Sequence, residues 1–216
     1  MNMIVLVIAF LISIAASIYG IRNVLKKGVP LYFQIIVCAA SLYALEALSS
    51  LAVEYCGGSE EVMTVSALGL WGCLWFLFCA NHGAMNGLIY DGQKPGAVLY
   101  VVPLAHSLAI IFIGYTYYKT FGDLVAAILV VIEMAPAVPV LFWNFAHLNA
   151  KEDPFGIRSK IKGCDLASIV FNVLFVVLNY SRAVGGVFEQ AMLIVCPCAI
   201  AWLAIEAVKG ARSWNI

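Results

Sequence analysis

"MIVLVIAFLISIAASIYGIRNVLKK", residues 3–27, decides the fold. Residues 3–19 hold no charge, and the cations Arg22, Lys26 and Lys27 come after the apolar run. A secretory signal carries its positive charge ahead of its apolar core. The order here is reversed, so the stretch reads as a retained spanning helix with its N-terminus outside.

The rest of the chain agrees. Of 216 residues, 64% are hydrophobic and 11% are charged. Soluble domains average about 45–50% apolar and about 25% charged residues. Such a chain lacks the polar surface to stay dissolved and reads as an integral membrane protein. A spanning helix takes roughly 20 mostly apolar residues. Seven candidate spans fit that length: 3–21, 30–53, 62–84, 97–117, 123–146, 164–183 and 188–208. Together they make one all-α transmembrane domain over residues 1–216.

Lysine and arginine set the expected orientation. Arg22, Lys26, Lys27, Lys94, Lys151, Arg158, Lys160, Lys162, Lys209 and Arg212 fall on one side, Lys119 and Arg182 on the other. The bias places the N-terminus outside and the C-terminus in the cytoplasm. The outer linkers are acidic: Glu54, Glu60, Glu61, Asp123 and Glu189. The basic linker 148–163 serves that topology, or docks a cytoplasmic partner or anionic headgroups.

Polar groups at membrane depth are costly and point to function. The span boundaries put Glu133, His106 and Asn172 near the midplane and Glu46 in the outer half of the second span. In the sixth span Asp165, Ser168, Asn172, Asn179 and Arg182 repeat at helical spacing and share a face. In the fifth, Glu133, Ala137, Val140, Asn144 and His147 form another stripe. Pro136 and Pro139 interrupt that helix just after Glu133, and each frees a backbone carbonyl. A midspan Glu133 is expected to be protonated, or paired with His106 or an asparagine. The expected ligand set is Glu46, His106, Glu133, Asn172 and Asn179, with Pro136, Pro139 and Pro197 as bends. Each polar group also has a plain structural reading: interhelical hydrogen bonding for the asparagines, a satisfied core side chain for His106, local serines for Glu46. Asn81, His82 and Asn86 suggest a polar cap on the third span, whose small residues suggest a central position in the bundle.

The seven cysteines form no disulfide framework, since most lie in apolar runs. Cys196 and Cys198 flank Pro197. At about 100° per residue they diverge on a regular helix, and they meet at one metal ion only if the proline unwinds the turn. Bent-helix packing accounts for them more simply. There is no phosphate-binding glycine loop, HExxH, paired CxxC or GxSxG, so no motif supports an enzyme and no cofactor is implied. Lys209 lies at the end of the last span, which argues against a retinal pigment. The zero net charge offers no face for nucleic acid.

Two stretches carry a resemblance: "SLYALEALSS" (41–50) and "ALGLWGCLWFLFCANHG" (67–83). They resemble the N-terminal seven-helix sensor region of bacterial histidine kinases, whose second helix has an aromatic followed by "ALE" and whose third has a tryptophan-centred apolar motif. The proline that this motif has before the tryptophan is missing here, and Leu74 precedes Trp75. The resemblance lies in the first half of the chain and covers about 60 to 80 of its 216 residues. It implies a sensor core in a bacterial plasma membrane, contacting lipid, binding a small molecule within the bundle and acting through a separate signalling partner. The alternative is a transporter of small solutes, protons or metal, with Glu133 as the coupling carboxylate beside broken helices.

Overall fold

The computed structural model describes residues 3–57, 65–85, 96–149 and 156–214. Glu60, Glu61, Asn86, Lys94 and Lys151 lie outside the described residues. Eight helical segments make up the described chain: α1 (Met3–Val24), α2 (Leu31–Tyr55), α3 (Val65–Met85), α4 (Val98–Phe121), α5 (Leu124–Met134), α6 (Ala137–Asn149), α7 (Ile157–Val184) and α8 (Gly186–Trp214). No strand occurs among the described residues. The pair α5–α6 is one broken rod, so there are seven rods. Six are long and apolar enough to cross a bilayer. The seventh, α3, has 21 residues, a rise of about 30 Å.

The break between α5 and α6 follows from the two prolines. Neither Pro136 nor Pro139 has an N–H, so Ile132 and Ala135 lose their usual donors four residues on. Ala135 N–H donates to the Ile132 carbonyl at 3.3 Å instead, and Val138 N–H to the Ala135 carbonyl at 3.2 Å. The freed carbonyls are therefore matched within the turn. Asp123 starts α5 by accepting from the Val125 and Ala126 N–H groups at 2.8 and 3.1 Å. Pro197 leaves α8 unbroken.

The links differ from the expected ones at α7. The apolar run marks where a helix meets hydrocarbon, while backbone hydrogen bonding extends it into the polar layer. So α7 starts at Ile157, within the linker expected over 148–163. At its other end one residue, Gly185, separates α7 from α8. Gly185 and Gly186 sit at φ 74 and 76°, a left-handed backbone that costs glycine little.

α7 and α8 pack against each other along their length, and α8 also meets α1 and α2. Each of the two has 56% of its apolar window buried, against 28% for α4, which lies at the edge. α3 also lies at the edge, against α2 and α6, and not at the centre as its small residues suggested. It buries Leu70, Cys73, Leu74, Leu77 and Ala80 and leaves Trp71, Trp75 and Phe76 exposed. Its glycines serve a single contact: Gly69 faces α2, where an added Cβ would lie 3.0 Å from the Leu42 carbonyl oxygen. In α1, Ala9, Ser13, Ala16, Ser17 and Gly20 make a buried stripe of small residues toward α2 and α8. Such a stripe lets backbones approach, and dispersion between close helices substitutes for a hydrophobic drive that lipid cannot supply.

Candidate functional site

The stripes on α6 and α7 face each other. Ala137, Val140, Asn144 and His147 are all buried on α6, and Asp165, Ser168, Asn172 and Asn179 on α7. Apolar surroundings leave these polar atoms only one another to bond, and three helices are joined as a result. Asn81 Nδ2 on α3 donates to Asn144 Oδ1 at 2.7 Å, and Asn144 Nδ2 donates to Ser168 Oγ on α7 at 2.8 Å. His147 completes the network. Its Nδ1 lies 2.8 Å from Asp165 Oδ1, and its Nε2 lies 3.1 Å from the Asn81 backbone carbonyl.

This geometry fixes the hydrogens. A carbonyl only accepts, so Nε2 carries one. A second hydrogen must lie between Nδ1 and Oδ1, either on the imidazole as an ion pair or on the carboxyl as a neutral pair. The pair is neutral overall in both cases and holds one transferable proton. The side chains are 1% and 0% exposed. Tyr32 on α2 brings a buried hydroxyl near Asp165, and neither that hydroxyl nor Asp165 Oδ2 has a hydrogen-bond partner. The cluster thus gathers α2, α3, α6 and α7 near the ends that carry Arg158 and Lys160.

A charged pair sits toward the other end of α7. Arg182 Nη2 donates to Glu46 Oε1 on α2 at 3.2 Å, and Ser50 Oγ donates to the same oxygen at 3.2 Å. One turn along α2, buried Tyr43 meets buried Cys196 of α8.

The five expected ligand residues take separate places. Glu46 belongs to the Arg182 pair. Asn179 Nδ2 donates to the Phe175 carbonyl of its own helix at 3.1 Å. His106 is buried on α4, its Nε2 without a partner. Glu133 is half-buried at the end of α5. Asn172 is fully buried, and neither its Nδ2 nor its Oδ1 has a partner. Cys196 is buried and Cys198 exposed on the unbroken α8. No group of three or more metal-binding side chains converges among the described residues. His82 is exposed and stacks on Phe78, with Trp143 beside it, while its neighbour Asn81 turns inward. Asn81 and the Asp165–His147 contact lay outside the expected ligand set. Their signal was the pair of facing stripes, with one polar group at the end of α3.

The fold and its buried polar seam define a polytopic helical membrane bundle. No family model, curated protein or solved structure matches this chain.

Proposed function

We propose that this chain is a seven-helix sensory protein of a bacterial plasma membrane, with its N-terminus outside and its C-terminus cytoplasmic. It binds a small molecule within the bundle and signals through a separate partner. The observation that carries this reading is Asn172, one turn from the network at Ser168. Its amide offers two donors and two acceptor sites in a dry interior, and buried amides are seldom left unmatched. A ligand with a polar head and an apolar body would satisfy it. The neighbouring network ties α3, α6 and α7 together, so a ligand that moves α7 changes the relation of those helices at their basic ends. The excess of lysine and arginine there supports the cytoplasmic assignment.

The test is a thermal-shift screen of small molecules on the purified chain, repeated with Asn172→Leu. A ligand that raises the melting temperature of the wild type and not of the variant supports binding at this amide. Equal shifts in both would end this reading. The transporter reading is favoured by one feature, the α5–α6 break directly after Glu133. Uptake into proteoliposomes that disappears with Glu133→Gln would establish it instead.

A further inference from the structure

Four elements meet at one basic corner of the bundle. Arg212 of α8 donates through Nη2 to Asn23 Oδ1 of α1 at 3.1 Å. The Lys160 ammonium of α7 stands 4.7 Å from the centre of the Trp214 ring. That ring lies edge-on to Phe33 of α2, with centroids 6.2 Å apart. Gly210 closes the contact, because a Cβ there would lie 2.8 Å from the Lys160 carbonyl oxygen. The first contact brings Arg212 to the α1 segment that carries Arg22, Lys26 and Lys27, and the second holds Lys160 at the same end of the bundle, against the last turn of α8. Arg22, Lys26, Lys27, Lys209 and Arg212 are all exposed, and Lys160 is half-exposed.

Counter-charge is scarce at this corner. Among the described residues of the adjoining ends of α1, α2, α7 and α8, the carboxylates are Asp165 and Glu206. Asp165 is buried against His147. Glu206 accepts from Lys209 Nζ at 2.6 Å and from Trp202 Nε1 at 3.3 Å. The remaining cations come from three separate helix ends, α1, α7 and α8. Above them the flank of α1 and α8 is apolar and exposed, at Ile18, Ile21, Trp202 and Ile205.

We propose that this corner binds the headgroup of an anionic glycerophospholipid carrying two phosphates, with its acyl chains along α1 and α8. Two phosphates match the spread of the cations: one lies between Arg212 and the Arg22–Lys27 segment, the other beside Lys160. Arg212 keeps four of its five N–H donors for phosphate after bonding Asn23. Basic pockets between spanning helices take headgroups of this kind. The proposal needs the bundle to sit in a bilayer and is independent of the sensory reading.

The test uses the full chain in an uncharged detergent. Diphosphatidylglycerol, phosphatidylglycerol, phosphatidylcholine and inorganic phosphate are added at equal phosphate, with melting temperature and lipid retained in native mass spectra as readouts. The expected order is a clear rise with the diphosphate lipid, a smaller one with phosphatidylglycerol, and none with phosphatidylcholine or inorganic phosphate. Lys160→Gln with Arg212→Gln should lower retention of the diphosphate lipid about 30-fold, roughly fivefold per basic side chain. Lys119→Gln, on a different helix end, should leave it unchanged. Equal retention of diphosphatidylglycerol and phosphatidylcholine by the wild type overturns the proposal whether or not the double variant folds. So does a shift with inorganic phosphate equal to that with lipid, or unchanged retention in a folded double variant.

Discussion

α7 carries a pair of ionisable side chains toward each end, and the two are built differently. Asp165–His147 is sealed, at 0% and 1% exposure, inside a network that joins three helices. Glu46–Arg182 joins two helices, and its arginine is 22% exposed. The first pair is sealed from water, so removing one partner leaves a buried polar group unmatched. The second can lose a partner and recover, because a long arginine side chain can reach polar surroundings. One end of the bundle is therefore locked by chemistry that tolerates little change, and the other is held more loosely.

Substitutions separate the two ends. His147→Ala should have the largest effect. It leaves Asp165 buried without its partner and the Asn81 carbonyl without its donor, a loss of about 3–5 kcal/mol. Equilibrium unfolding in mixed micelles measures it, and a loss under about 1 kcal/mol would contradict the sealed character of this end. Gly210→Ala tests packing at the same end. Its Cβ would lie 2.7 Å from Phe33 Cζ and 2.8 Å from the Lys160 carbonyl oxygen, and overpacking of this kind costs about 1–3 kcal/mol. Glu46→Gln should cost about 1 kcal/mol or less, the range of partly exposed pairs. If it destabilised the protein as much as His147→Ala, the contrast between the ends would fail. Asn172→Leu should have the smallest effect on the ligand-free protein, neutral or slightly stabilising, because it replaces an unmatched buried amide by an apolar side chain of similar size. A marked loss of stability in the same unfolding assay would mean that the amide has a structural partner.

The rods were legible in the sequence because hydrocarbon demands long apolar runs, and each expected span overlaps one rod, although every rod runs past its span at one end or both. The buried faces of α6 and α7 were legible from spacing alone: Asn144 and His147, and Asp165, Ser168, Asn172 and Asn179, all point inward. Which stripe meets which was not. Asn81 and Asn144 are 63 residues apart and Glu46 and Arg182 are 136, and helical periodicity reports nothing across such distances. Ranking residues by depth favoured midspan groups such as Glu133 and His106 over His147 near a helix end. Yet the closest contact between ionisable side chains in the interior forms where a helix end meets its neighbours. Small residues misplaced α3, since close approach to α2 alone accounts for Gly69.

The single-residue link between α7 and α8 bears on how the protein is made. α7 carries Asp165, Asn172, Asn179 and Arg182, a heavy polar load for a segment entering lipid by itself. With Gly185 as the whole connection, α7 and α8 form a closed hairpin. We expect the insertion machinery to receive them as one unit, with α7 turning its polar face to α2, α3 and α6, which precede it in the chain, while α8 covers another side.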